Sequence, residues 1–207
     1  MGERIHVDIR VDPACPWAWL AFQWLAEVAR VRDVQVRARL FSLFQINRTR
    51  EAELKAGHEA AVGSLRTLVA ARRAGGDVAL ARLYTELGEA IHERGEEPGG
   101  ASLRRALRNA HLDPRLAAEA LEDDSTLQEL MAEHDEARER GIFGVPTVEV
   151  DGSAPFFGPV VDRPLTGREA GELWDHVVWA LEQPYLFELK RSRTSQPQIG
   201  RLLRETA

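Results

Sequence analysis

The chain opens with a stretch in which apolar and polar residues alternate. From Ile5 to Val11 every second residue is apolar, which is the pattern of a β-strand with one buried face. Beyond Pro16 the apolar residues instead recur every three or four positions as far as Val28, and this spacing predicts a helix. Alternation returns over residues 33–40 and predicts a second strand. Together these segments predict a β-α-β unit, the usual opening of a parallel sheet.

The region from 51 to 140 has a different character. It is rich in Ala, Leu, Arg and Glu, which are strong helix formers. Glycines at Gly75-Gly76 and Gly95 divide it into successive predicted helices. Residues 42–52, just before it, are expected to form a loop. We therefore predict a helical insert that follows the β-α-β unit.

The strand pattern returns over residues 144–150. Asp151-Gly152 is a strong hairpin signal, and residues 154–157 are expected to form the returning strand. A last helix is predicted after Thr166, with apolar residues on one face as far as Leu181. The predicted order is β-α-β, helical insert, β-β-α.

Composition limits the classes of function. A chain of 207 residues with 44% hydrophobic and 29% charged residues is typical of a soluble globular protein. Its 27 basic and 33 acidic residues give a net charge of −6, which argues against a general nucleic-acid binder. No apolar run approaches the roughly 18–20 residues that span a bilayer, and no apolar secretion segment precedes the first strand. We expect a cytoplasmic protein with neither nucleic acid nor membrane as partner.

Cys15 is the only cysteine in the sequence and lies where the first strand ends and the helix begins. Pro16 suits the first helical position, because its missing N–H needs no partner there. Cys15 is therefore expected at or beside the N-cap, facing unpaired N–H groups and the positive end of the helix dipole. This setting favours the thiolate, which is the nucleophilic form. Cys15 is the candidate catalytic residue; with one cysteine and no matching histidine spacing, no metal is expected.

The strand, the Cys15-Pro16-Trp17 motif and the helix resemble the active site of the DsbA-like branch of the thioredoxin superfamily. The resemblance implies an α/β thioredoxin fold whose two halves, 1–50 and 141–207, flank an inserted α-helical domain, 51–140. Dithiol members carry a second cysteine three residues after the first, where this chain has Ala18. No internal disulfide can form, so a redox cycle needs an external thiol.

The resemblance also implies a second part of the site. In thioredoxin-like folds a proline at the start of the third core strand is cis and faces the active cysteine, and Pro146 has the matching place. The backbone of Val145 would then bind an extended substrate or thiol, with Thr147 following. The alternative is a proline that merely begins an edge strand.

Other stretches are similar to a narrower group, the mycothiol-dependent nitroreductases of actinobacteria. That similarity implies a cytosolic oxidoreductase that uses mycothiol, or another low-molecular-weight thiol, as cosubstrate and acts on nitro compounds. The matching residues extend over most of the chain: Cys15-Pro16-Trp17 with Trp24; Ser42-Leu43 with Asn47 and Arg50; Leu83-Tyr84-Thr85 with Gly88, Ile91, His92 and Gly95; Pro146-Thr147; Phe156 to Val160; Glu169-Ala170-Gly171 with Leu173-Trp174-Asp175; Phe187 to Arg191; and Arg193-Thr194.

Several candidate binding residues have two interpretations. Trp17 could form a pocket wall or belong to the core of the first helix. Asn47 could hold a polar ligand or lie in a solvated loop. His92 could reach the cleft and assist a bound thiol, or be structural. Residues 190–193 resemble a basic patch but are more typical of a solvated tail.

Three hypotheses follow. The first is a monothiol oxidoreductase centred on Cys15, with a small-molecule thiol and a small electrophilic or disulfide substrate. The second is a thiol transferase or isomerase acting on an aromatic electrophile, which predicts a wide apolar pocket between the Cys15 helix and the insert. The third is a small-molecule-binding module in which Cys15 is inert and its thiol pKa is normal or raised. The sequence leaves a homodimer open.

Overall fold

The computed structural model describes residues 4–47 and 52–200, with backbone alone for 52–60. Within this part of the chain, one sheet contains the strands β1 Ile5–Val11, β2 Val34–Leu40, β3 Thr147–Val150 and β4 Phe156–Phe157, in the order β2-β1-β3-β4. β1 pairs parallel with β2 and antiparallel with β3, and β3 pairs antiparallel with β4. The strand that leads to Cys15 is therefore central and paired on both sides.

Two helices pack on each other beside this sheet. α1 covers Pro16–Val31 and α7 covers Gly167–Leu181. The indole N–H of Trp24 donates to the carbonyl oxygen of Ala170 at 3.0 Å, and its ring lies 6.2 Å from that of Trp174. This contact joins the first and last helices, so the two halves of the predicted thioredoxin fold are connected through α1.

The region between the two halves is helical, as predicted. α3 bends at Gly75 and Gly76, where Gly76 has φ 69°, so the predicted boundary between two helices is confirmed as a kink. The core of this region is continuous with that of the sheet, because Leu65, Leu83 and Leu107 share one cluster with Val7. The helices and turn are α2 Leu43–Ile46, α3 Ala52–Gly88, a π-helical turn Glu89–Glu93, α4 Gly100–Asn109, α5 Leu116–Glu122 and α6 Asp124–Glu139.

One local expectation is wrong in part. Residues 42–52 are not all loop, because Ser42 caps α2 by accepting a hydrogen bond at its Oγ from the N–H of Gln45 at 3.4 Å. The hairpin after β3 does form at Asp151 and Gly152, which have φ 47° and 74°. In the described part of the chain, no helix combines the length and apolarity that a membrane crossing requires.

Candidate active site

Cys15 is the N-cap of α1, as the sequence predicts, and Pro16 takes the first helical position. Its backbone N–H donates to the carbonyl oxygen of Asp12 at 3.0 Å, which closes a tight turn after β1. Its Sγ accepts a hydrogen bond from the N–H of Ala18 at 3.4 Å. A negative charge on the sulfur would therefore face the helix N-terminus.

The loop that ends at β3 faces the same sulfur. The Val145–Pro146 peptide bond is cis, and the Cys15 thiol lies 3.8 Å from the carbonyl oxygen of Val145, to which it donates. Thr147 has its hydroxyl turned back onto the carbonyl oxygen of Gly144, at 2.8 Å. The structure thus brings together Cys15, Pro16 and the Val145–Thr147 segment. Thr147 supports the loop, while the Val145 carbonyl holds the thiol itself.

Cys15 is buried, with 7% of its surface exposed. Burial raises the pKa of Cys15 to about 11, and it outweighs the hydrogen bond from Ala18, which acts in the opposite direction. The N-cap contacts act to favour the thiolate, as expected, but burial is the larger effect and the sulfur is held as a thiol in this closed arrangement. The residues that share this cluster with Cys15 (the Cys15 cluster) are Ala18, Phe41, Ala137, Ile142 and Val145.

Asp12 is a buried carboxylate of the same turn that the sequence analysis missed. One carboxylate oxygen accepts from the N–H of Ala14 at 2.8 Å, and the other accepts from the N–H of Leu43 at 2.7 Å. Burial raises the pKa of Asp12 to about 6, although both hydrogen bonds act to lower it. Its negative charge further raises the pKa of Cys15. The available signal was an acidic residue placed directly after a buried strand.

Trp17 lies half-buried against the Cys15 cluster, at the tip of α1. The guanidinium carbon of Arg193 lies over its ring, 4.8 Å from the centroid. The interpretation of residues 190–193 as a solvated tail is therefore incomplete, because one of them contacts the active-site motif. A short basic run in an acidic chain is typical of a solvated tail, and nothing in the sequence pattern indicates that Arg193 contacts Trp17.

His92 supports the cysteine loop from behind. It is 1% exposed, and its Nε2–H donates to the carbonyl oxygen of Pro13 at 2.9 Å, which assigns the proton to that nitrogen. Its ring stacks on Trp19 with centroids 6.5 Å apart. Of the two interpretations of His92, this geometry favours the structural one.

Asn47 is buried and ends α2, where its N–H donates to the carbonyl oxygen of Leu43 at 3.0 Å. Leu43 and Ile46 of the same helix pack against the Cys15 cluster, so Asn47 lies on an element that adjoins the site. Arg50, the neighbouring candidate, lies outside the described residues.

His134 of α6 is a further residue that the sequence did not indicate. Its Nδ1 accepts from the N–H of Ser42 at 3.2 Å, and its ring lies 4.4 Å from that of Phe41 in the Cys15 cluster. Burial lowers the pKa of His134, which favours the neutral imidazole that this hydrogen bond needs. His134 therefore fixes the chain between β2 and α2. Within the described residues, no three His, Cys, Asp or Glu side chains form a group able to hold a metal ion.

A central strand, a cysteine at the N-cap of the following helix and a proline loop facing it define a thioredoxin-fold site of the DsbA-like class. The profile of the Rv2466c-like family, described as mycothiol-dependent nitroreductase Rv2466c, matches residues 14–191. The chain therefore belongs to this family of thiol oxidoreductases. It is also 30% identical over 190 residues to the uncharacterized protein Rv2286c of Mycobacterium tuberculosis, covering 91% of this chain and 82% of that protein.

Solved structures show the same fold at low sequence identity. A 2-hydroxychromene-2-carboxylate isomerase matches with a TM-score of 0.62 and 16% identity, over 84% of this chain and 93% of its own. The probable DsbA oxidoreductase SCO1869 of Streptomyces coelicolor matches with a TM-score of 0.55 and 18% identity, over 92% and 94%. The cytosolic disulfide reductase DsbM of Pseudomonas aeruginosa matches with a TM-score of 0.55 and 16% identity, over 84% and 96%.

Proposed function

We propose that the protein is a monothiol oxidoreductase that acts through Cys15, with mycothiol as its low-molecular-weight thiol cosubstrate. The observation that carries the proposal is the position of the Cys15 sulfur between the N–H of Ala18 and the carbonyl oxygen of Val145. Membership of a family named for mycothiol-dependent reduction supports the choice of thiol. Because position 18 is alanine and the chain has no second cysteine, an external thiol must complete the cycle.

The proposed cycle has two exchange steps. In the first, the Cys15 thiolate attacks one sulfur of a small disulfide; a bond forms between Cys15 and that sulfur, and the other half leaves as a thiolate. In the second, a mycothiol thiolate attacks the sulfur bound to Cys15, and the Cys15 thiolate leaves. The products are a reduced thiol and a new disulfide that contains mycothiol. One sulfur of the original disulfide is reduced to a thiolate as the mycothiol sulfur is oxidised to the disulfide level, and the enzyme is unchanged.

A nitro compound is the alternative oxidant that the family name suggests. Reduction of a nitro group to a nitroso group takes two electrons and two protons and releases water. Two thiols supply these electrons and protons when they are oxidised to a disulfide. Because position 18 is alanine and not cysteine, the two thiols are those of Cys15 and one mycothiol. A second mycothiol then releases Cys15 by the exchange described above.

We assign the remaining site residues from their positions. Pro16, Trp17, Val145 and Pro146 surround the sulfur and are proposed to contact the bound thiol or substrate, with the Val145 carbonyl exchanging its hydrogen bond to Cys15 for one to the ligand. Asn47, His92 and Thr147 are proposed to hold the loops that present these groups. We propose a cytoplasmic location, where reduced thiols are abundant.

A second candidate function is the small-molecule-binding module in which Cys15 is inert. Burial of Cys15 and the resulting pKa of about 11 favour it, because little thiolate is then present at neutral pH. The aromatic-electrophile hypothesis gains less support: a cleft of about 460 Å3 is lined by Ile5, Trp174 and Trp179, at the end of β1 opposite to Cys15.

Intact-mass measurement separates these functions. The protein is incubated with oxidised mycothiol and, separately, with oxidised glutathione, and Cys15→Ser serves as the control. A mixed disulfide in the native protein alone, removed by free mycothiol, is the expected result. No adduct with either disulfide, together with ligand binding that Cys15→Ser leaves unchanged, would overturn the oxidoreductase proposal in favour of the binding module.

A further inference from the structure

The C-terminal segment, defined here as residues 193–200, is attached to the protein at several points. Ile199 is 1% exposed and belongs to the main core cluster. The N–H of Gln198 donates to the carbonyl oxygen of Asp162 at 2.5 Å, and Ser195 donates from its hydroxyl to the carboxylate of the same Asp162. The N–H of Gly200 donates to the carboxylate of Glu93 at 2.8 Å. These bonds fix the path of the segment past the active site.

Glu93 also connects this segment to α1. Its other carboxylate oxygen accepts from the indole N–H of Trp19 at 2.9 Å. Trp19 follows Cys15 by one helical turn. The C-terminal segment is thus held against the helix that carries the cysteine, and Arg193 is at the end of the segment nearest to the motif.

The charge of Arg193 has no carboxylate partner among the described residues. Other arginines of the chain pair with carboxylates: Arg94 lies 2.8 Å from Glu96, and Arg163 pairs with Glu169. Arg193 instead lies with its guanidinium over Trp17, 4.8 Å from the ring centroid. Stacking of a guanidinium on an indole leaves its N–H donors available at the edges of the plane.

The groups that face Cys15 differ in charge. Asp12, in the turn before α1, raises the pKa of Cys15, whereas the charge of Arg193 lowers it. Tyr84 of α3 has its pKa raised well above its usual value, and burial lowers that of His134 of α6, so both are neutral at pH 7. Arg10 of β1 and Glu149 of the adjacent β3 pair with each other. Within the described part of the chain, Arg193 thus supplies the positive charge that acts on the sulfur.

We propose that Arg193 is an electrostatic positioning residue of the Cys15 site, which stabilises negative charge on the sulfur as Cys15 attacks and as it leaves. The inference deepens the proposed monothiol function and rests on it for its biological use. The profile match ends at residue 191 and so does not include Arg193, although Arg193-Thr194 is among the stretches that resemble the family. Thiol–disulfide exchange moves negative charge onto and off the cysteine sulfur, so a nearby cation assists both steps.

The test is the pH dependence of alkylation of Cys15 by iodoacetamide, a neutral reagent that the arginine does not attract. Four proteins are compared: the native chain, Arg193→Gln, Arg193→Lys and, as the matched control from the same exposed stretch, Arg191→Gln. We expect Arg193→Gln to react about twofold to fivefold more slowly at pH 8, with its pH profile displaced to higher pH. An effect of this size is typical of the loss of one exposed charge. Arg193→Lys is expected to keep most of the native profile, and Arg191→Gln all of it.

Two results would overturn the proposal. One is a profile for Arg193→Gln that coincides with the native one. The other is a uniform change in rate, up or down, with no displacement along the pH axis, which would show that Arg193 controls access and not charge. Since alkylation needs no mycothiol, these outcomes are independent of the mass experiment. The mass experiment can contradict the oxidoreductase proposal while the alkylation profile still shifts. Equally, the mass experiment can support that proposal while the alkylation profile does not shift.

Discussion

The carboxylate of Asp12 accepts a hydrogen bond from the backbone N–H of Leu43 at 2.7 Å, and so joins the cysteine turn to the start of α2. The same carboxylate is buried, and its charge acts against ionisation of Cys15. Asp12 therefore has two effects: it holds the two loops of the site together, and its charge adds to the burial that raises the pKa of Cys15.

Asp12→Asn is expected to lower the pKa of Cys15, because it removes the negative charge that opposes the thiolate. The ultraviolet absorbance of the thiolate, titrated against pH in both proteins, measures the change. Asp33→Asn is the control, since Asp33 is an exposed residue that pairs with Arg4 on the surface. A Cys15 pKa that is unchanged or higher in Asp12→Asn would contradict this electrostatic account.

Asp12 also predicts a dependence of stability on pH. Its pKa is raised from 3.8 to about 6 in the folded protein, so the folded state binds more protons than the unfolded state between these values. The free energy of unfolding of the native chain, relative to Asp12→Asn, should therefore fall as pH rises from about 4 to about 6, by at most about 3 kcal/mol.

Urea unfolding of both proteins at several pH values measures this difference. Taking the difference cancels the carboxylates whose pKa values are lowered by arginine partners, such as Glu96 and Asp113, because both proteins contain them. A difference that stays constant across the interval would show that Asp12 titrates alike in the folded and unfolded chains.

Gly88, at the end of α3, lies directly against the indole of Trp19. A Cβ at this position would lie 2.2 Å from Cε3 of Trp19, and Trp19 cannot move aside because it is buried and bonded to Glu93. Gly88→Ala is therefore expected to destabilise the protein by about 1–3 kcal/mol, although alanine favours a helix.

Gly63 in the same helix provides the comparison. Its Cβ would meet Leu121 at 3.6 Å, an ordinary contact, so Gly63→Ala should be neutral or stabilise by up to about 1 kcal/mol through helix propensity. Thermal unfolding of the two variants tests the contrast. Equal melting temperatures would refute the proposed contact between Gly88 and Trp19.

Ala18→Cys tests whether the site retains the geometry of a dithiol enzyme. Ala18 is fully buried, and its N–H already bonds to the Cys15 sulfur across the first turn of α1. We expect mild oxidation to form an internal disulfide with Cys15, seen as the loss of two hydrogens in the intact mass and as protection from alkylation. An intermolecular disulfide or two free thiols would show that the first turn of α1 no longer accommodates the bond.

Much of the fold is determined by local pattern. The alternation over Ile5–Val11 and the helical spacing after Pro16 predict β1, α1 and Cys15 at the N-cap, because strand and helix periods are visible in consecutive residues. The break in α3 at Gly75-Gly76 is also predicted from local sequence, because two consecutive glycines disfavour a continuous helix. The helix α2 was missed, since four residues hold too little periodicity to distinguish a helix from a loop.

The sequence by itself determined that a lone cysteine stands between a strand and a helix, in a chain that resembles a thiol oxidoreductase family. The tertiary structure decided how that cysteine behaves. Burial of Cys15 by residues as distant as Ala137 and Val145 sets its pKa, and Arg193 reaches Trp17 across most of the chain's length. Desolvation and charge depend on every group near the sulfur, and such groups come together only when the whole chain has folded.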